Sequence, residues 1–257
     1  MNKTKIDWCD YVWNPVTGCT KVSEGCRNCY AERHAKRFWG DRKFTDVKCH
    51  EDRLGFPQTI KKPSWIFVNS MSDLFHKDVP DSFIHNVMGK MLAKPQHIFI
   101  ILTKRPDRMK LFIEYFPYFG GLKNVIYGVS VEDQATADER IPILLSTKVN
   151  NRIVSIEPMI GAVNLVQFNQ SSIIGLTGLG WVIVGGESGP GARPMKPEWA
   201  EAIQFDCAEY GVPFFFKQWG EYDANGVRVG KAAAGHLLNG VEYHEYPRGF
   251  FMGEIGE

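Results

Sequence analysis

Cysteine is scarce in this chain of 257 residues, with six in all. Long apolar runs are missing too. None approaches the roughly 18–20 residues that a membrane-spanning helix needs. The N-terminal MNKTKIDWCDYVW carries positive charge but lacks the apolar stretch of a secretory leader. A net charge of +1 rules out a global field that would drive the chain onto a polyanion or a membrane. Internal repeats, low-complexity tracts and linkers are absent. A hydrophobic share of 44% and a charged share of 23% are those of an ordinary globular protein, so disorder is not expected. The expectation is a cytoplasmic protein with no membrane contact. In that reducing compartment its cysteines form no disulfide framework.

Against that scarcity, half the cysteines fall in one stretch, NPVTGCTKVSEGCRNCYAE. Cys19, Cys26 and Cys29 are spaced C-x6-C-x2-C, and Tyr30 follows at once. In a reducing compartment such a cluster reads as metal or redox chemistry. Two site types use thiolates this close. A structural zinc takes four ligands, here the three cysteines with His34 or His50. An iron–sulfur cubane normally takes four cysteines, and three leave one iron open, as a catalytic metal requires. Spacing alone leaves both open. Position favours the cluster, because the triplet lies where the first βα loop of a barrel would be, and a structural zinc has no reason to sit at a barrel mouth.

The rest of the chain is rhythmic. Apolar runs read as strands at Trp65–Val68, at His97–Leu102, in NVIYGV up to Val129, in NRIVSIEP ending at Glu157-Pro158, in GWVIVGGES ending in Gly185-Gly186-Glu187-Ser188, and in VPFFFKQW ending in Lys217-Gln218-Trp219, with a short one at Tyr11–Val16. Apolar residues at helical spacing predict helices near Asp81–Ala93 and Pro197–Tyr210. Others are expected from Tyr30, from Pro106, and over Glu132–Ser146 with a break at Pro142. Strands that are apolar throughout are covered on both faces, and their alternation with helices indicates parallel βαβ units. The predicted fold is α/β, a partial (β/α)6 TIM-like barrel over residues 1–220, with 221–257 a C-terminal hairpin or lid of the same domain. In such folds the site lies at the strands' carboxyl ends, and here nearly every strand ends in polar or charged residues.

The three-cysteine loop ending C-x2-C-Y resembles the radical S-adenosylmethionine superfamily, although the first gap there is usually three residues. Over most of the chain, WNPVTGC, GCRNCYAE, FVNSMSDLF, ILTKRP, GVSVEDQ, EPMIG, VIVGGESGPGARPM and FFFKQWGE are similar to a phage-associated family of unknown function. That family is often encoded beside a three-Cys-motif partner protein. The cysteine loop and the TKR and EP strand ends also resemble, more loosely, spore photoproduct lyase. The resemblance implies that Cys19, Cys26 and Cys29 hold three irons of a 4Fe–4S cluster. The fourth iron would chelate S-adenosyl-L-methionine, and an electron from a donor such as flavodoxin or ferredoxin would release a 5′-deoxyadenosyl radical. Beside that cofactor it places Tyr30. Asn69, Ser70 and Asp73 would meet the methionyl amino group, and Ser130 and Glu132 the ribose.

The remaining strand ends carry further expectations, each with a plainer alternative. Thr103, Lys104 and Arg105 would bind a cofactor carboxylate or a substrate phosphate, or form surface charge beside a proline-started helix. Glu157, held extended before Pro158, would be a site carboxylate. Gly185 and Gly186 would let backbone approach adenine or substrate, with Glu187 beside them, or form a tight turn. Helix caps are the alternative for Asp73, Ser130 and Glu132. Cys207 is assigned to packing, and Trp219 either stacks on a base or packs in the core. Between Lys21 and Lys62 eleven Lys/Arg stand against six Asp/Glu, a hint of a polyanion contact. The leading expectation is a radical enzyme with Glu157, Lys104 and Arg105 at its centre, acting on a nucleic acid or nucleotide. The other is a zinc- or cluster-stabilised module that binds nucleic acid or a partner without chemistry of its own.

Overall fold

The computed structural model describes residues 4–168 and 176–247. After β1 (Tyr11–Trp13), a short antiparallel pair, β2 (Val16–Thr17) and β3 (Lys48–Cys49), brackets the cysteine loop and α1 (Tyr30–Phe38). A one-turn helix, α2 (Phe56–Thr59), comes before β4 (Trp65–Val68). Strands and helices then alternate: α3 (Asp81–Leu92), β5 (Ile98–Thr103), α4 (Pro106–Tyr115), α5 (Pro117–Gly120), β6 (Val125–Val131), α6 (Gln134–Ser146), β7 (Arg152–Ile156), β8 (Trp181–Gly185), α7 (Pro197–Tyr210) and β9 (Phe214–Gln218). Seven strands form one sheet in the order β1-β4-β5-β6-β7-β8-β9, every adjacent pair parallel.

The sheet is curled. Trp65 on β4 and Trp181 on β8 meet edge to face with ring centroids 6.0 Å apart. Flat strands at about 4.8 Å spacing would hold them about 19 Å apart. The concave face is packed by Trp8, Ile100, Ile126, Ile153, Ile183 and Phe215, while the convex face buries the larger core beneath the helices. Burial on both faces accounts for the continuous apolar runs. The result is the α/β fold expected, a partial barrel closed off at its amino-terminal end by aromatic side chains.

The helix expected over Glu132–Ser146 differs from expectation in two ways. The sixth helix starts at Gln134, because Asp133 caps it by accepting from the Thr136 backbone at 2.9 Å while Thr136 reaches back to the Asp133 N–H. It also runs through Pro142 without a break, since packing of Ala137, Ile141 and Leu144 outweighs one lost backbone bond. Beyond Gly220 lie a one-turn helix, α8 (Lys231–Ala234), and a two-stranded hairpin, β10 (Leu237–Leu238) and β11 (Val241–Glu242). Residues 248–257 of the extension lie outside the described residues. Among the described residues no helix is long and apolar enough to cross a membrane.

Candidate active site: a cysteine loop clamped over the strand ends

The carboxyl ends of β4 to β9 open on one cavity of about 430 Å³, within the range of small-molecule sites. Cys19, Cys26, Cys29 and Tyr30 line it from above. Asn69, Ser70 and Asp73 after β4 line it from below, with Thr103, Lys104 and Arg105 from β5, Ser130 from β6 and Glu157 from β7. Gly186, Glu187 and Lys217 complete the wall. Glu132 and Gly185 do not line it. The three cysteines are free thiols.

Three buried carboxylates tie the cysteine loop to the sheet. Asp73 accepts from the Thr103 hydroxyl at 2.8 Å, the Phe75 N–H at 2.9 Å, the Lys104 N–H at 3.1 Å and Arg105 Nη1 at 2.9 Å. Arg105 then reaches into the loop, donating from Nη2 to the Thr20 carbonyl at 2.9 Å and from Nη1 toward Cys19 Sγ at 3.6 Å. Glu132, fully buried, accepts from Ser23 Oγ at 3.1 Å, from Arg140 Nη1 at 3.2 Å and from Lys104 Nζ. Gly25 of the loop lies flat on it, and a Cβ there would fall 2.1 Å from Glu132 Cγ. Glu187 accepts from Arg193 Nε at 2.8 Å and Nη2 at 2.7 Å, and from Asn28 Nδ2 at 3.2 Å inside the C-x2-C pair. Arg193 also donates to the Glu24 carbonyl at 3.0 Å. Breaking a buried pair of this kind costs about 3–5 kcal/mol, because the partner charge is left stranded.

The clamps set the thiols' electrostatics. Burial works against ionising Cys26, but the Lys104 cation and hydrogen bonds from the backbone at Val22 and Ser23 outweigh it, so its thiol ionises more readily than a free one. Cys19 is pushed up to about 11 by burial and by the Asp73 charge, which Arg105 only partly offsets. Burial also opposes the Glu187 charge, but the hydrogen bonds from Arg193 and Asn28 hold its carboxyl below the usual range.

These contacts correct four expectations. Arg105, expected to grip a cofactor carboxylate or a substrate phosphate, spends its guanidinium on Asp73 and the Thr20 carbonyl. Asp73 does not offer a free carboxylate to an amino group, because four protein donors already occupy it. Nor is it a helix cap, since the next helix begins at Asp81 after an N-cap at Pro80. Glu132 faces inward to Lys104 and Arg140 and away from the cavity, and the cap of the following helix is Asp133. Gly186 serves the protein's own packing. A Cβ on Gly186 would fall 1.8 Å from the Trp219 carbonyl oxygen, whereas one on Gly185 would meet the Glu157 side chain at ordinary contact distance, 3.4 Å. Trp219 is core, 3% exposed, with its indole N–H on the Leu237 carbonyl at 2.8 Å. Cys207 is buried in the core as assigned.

Other groups keep open valences. Glu157 pairs with Lys217 at 2.5 Å, and Lys217 donates to no other group among the described residues. Asn69 adopts a left-handed φ of 62°, a conformation Asn tolerates better than most residues. Its Oδ1 accepts from the Val16 N–H at 3.2 Å, while Nδ2 is buried without a partner. A buried donor left unpaired costs about 1–3 kcal/mol, a cost that a ligand oxygen would remove. Sequence reasoning missed Thr20, Ser23, Asn28, Arg140 and Arg193. Only Arg140 left a signal, a charge on the otherwise apolar stripe of Ala137, Ile141 and Leu144.

Among the described residues no group of three or more His, Cys, Asp or Glu side chains is placed to hold a metal ion. Cys19, Cys26 and Cys29 line one cavity as free thiols, the donor type that either a zinc ion or an iron–sulfur cluster takes.

Residues 3–247 match a family model described as a protein of unknown function, DUF5131. The chain belongs to that family. No curated protein matches this DUF5131 member. Among solved structures it is similar to a spore photoproduct lyase mutant, with a TM-score of 0.47 and 12% identity over 72% of this chain and 57% of that one. It is similar also to spore photoproduct lyase complexed with dinucleoside spore photoproduct, with a TM-score of 0.47 and 10% identity over 79% of this chain and 62% of that one. The chain thus spans less than two thirds of the length of either.

Proposed function

We propose that this chain is a radical S-adenosylmethionine enzyme, with Cys19, Cys26 and Cys29 as the ligands of a 4Fe–4S cluster. The observation that carries the reading is the loop's setting. Three free thiols face the same cavity as the polar ends of six parallel strands, and three buried carboxylates are spent on holding them there. When bound, the cluster and S-adenosyl-L-methionine supply a 5′-deoxyadenosyl radical that takes a hydrogen atom from the substrate.

The chain's own residues orient the reactants and exclude water. Asp73, Glu132 and Glu187 act as positioning residues that fix the loop. Lys104 places positive charge beside Cys26 and favours its thiolate. The Asn69 amide and the Ser130 hydroxyl are donors left for the cofactor. The Glu157–Lys217 pair faces the substrate, with one carboxylate oxygen and two ammonium protons available to it. The substrate we propose is a nucleic acid or nucleobase, on the strength of the basic excess between Lys21 and Lys62. A one-electron donor of the flavodoxin or ferredoxin type completes the proposal, and a three-Cys-motif protein is the partner proposed for the assembly.

The test is purification without oxygen, followed by reduction with S-adenosyl-L-methionine present. The expected result is release of 5′-deoxyadenosine, abolished by Cys29→Ala while the fold persists. Unfolding around the loop in that variant, with stoichiometric zinc in the parent, would instead mark a structural metal.

A further inference from the structure

We infer that the exposed face of α1 (Tyr30–Phe38) is a docking track for a single-stranded nucleic acid, leading one nucleotide into the cavity. The inference deepens the nucleic-acid reading proposed above and rests on it.

Tyr30, His34 and Phe38 are spaced four residues apart, so they lie on one face of the helix over about 12 Å. All three are exposed, Tyr30 at 52% and Phe38 at 61%. The His34 and Phe38 rings are neighbours, with centroids 4.6 Å apart. The track begins at the site itself, because Tyr30 lines the cavity and its hydroxyl is tethered to the Ser70 carbonyl. At the far end the Arg37 guanidinium lies 5.1 Å from the Phe38 ring centroid, and Arg42 lies 4.3 Å from that of Trp39.

Charge complements the rings. Between Lys21 and Lys48 there are eight Lys/Arg against four Asp/Glu. Of those acids, Glu32 is paired with Lys21 at 3.1 Å and Lys36 at 3.0 Å, and Glu24 lies 3.6 Å from Arg193. Asp41 and Asp46 are exposed and oppose the field. Aromatic faces at intervals with interleaved cations bind unpaired bases by stacking and the phosphates by charge. A duplex hides its base faces, so the same surface favours single strands.

The experiment uses the full chain and fluorescein-labelled DNA 12-mers of mixed sequence, single-stranded and duplex, with binding read by anisotropy across a salt series. Single-strand binding is expected to be tighter than duplex binding and to weaken with salt. Phe38→Ala is expected to weaken it about five-fold or more, the loss of one stacked base. Arg37→Gln is expected to flatten the salt dependence by about one phosphate contact. Both residues are exposed, so neither variant threatens the core. Equal affinity for duplex, or single-strand affinity untouched by both variants, overturns the track. Cofactor cleavage is measured in parallel without nucleic acid. Cleavage with no oligonucleotide binding sinks the track alone, while oligonucleotide binding with this pattern upholds it whether or not cleavage is seen.

Discussion

At the scale of single residues, the cysteines are unequal, and the inequality is measurable. In protein stripped of metal, iodoacetamide at pH 8 is expected to label Cys26 well before Cys19 or Cys9. Lys104 eases ionisation of the first thiol, while burial pushes the others up to about 11 and about 12. Peptide mass spectrometry over time reads the order, and simultaneous labelling would contradict it. Glu132 is the other telling residue. Glu132→Ala strands Arg140, which is 1% exposed, together with Lys104. The expected loss is about 3–5 kcal/mol in unfolding free energy, read from denaturant titration. A loss below about 1 kcal/mol would mean that the charges find water.

At the scale of elements, the Glu187–Arg193 clamp carries a pH signature. Its carboxyl lies below the unfolded value of about 4.3, so its contribution is complete at neutral pH and is lost as pH falls through the lower folded value. Glu187→Gln is therefore expected to be less stable than the parent at pH 7, with the gap narrowing below about pH 4. Thermal unfolding at several pH values checks this, and a gap that widens in acid would contradict it. Gly186→Ala, by contrast, sets a methyl against the Trp219 carbonyl, and overpacking of this sort costs about 1–3 kcal/mol at any pH. Strands and helices were legible in the sequence because a sheet buried on both faces leaves apolar runs, and a helix on its convex side leaves a periodic stripe. The clamps were not. Ser23 and Glu132 are 109 residues apart, and Asn28 and Glu187 are 159 apart. Only the curl of the sheet brings such pairs together. Polar strand ends pointed to the mouth of the barrel, but which carboxylates face the cavity and which serve the protein itself depends on partners that no local pattern names.

For the whole molecule, the account comes down to a division of labour. Asp73, Glu132 and Glu187 hold the loop, the thiols are the ligands proposed for the metal centre, and Glu157 with Lys217 is left for what enters. Its central claim is a cluster with one iron open to the cavity. The most direct measurement is electron paramagnetic resonance of the reduced, oxygen-free protein before and after S-adenosyl-L-methionine is added, with iron and sulfide counted on the same sample. The account predicts about four iron and four sulfide per chain, and a signal whose shape changes when the cofactor binds the open iron. One zinc per chain with no resonance, or a cluster signal indifferent to the cofactor, would contradict it.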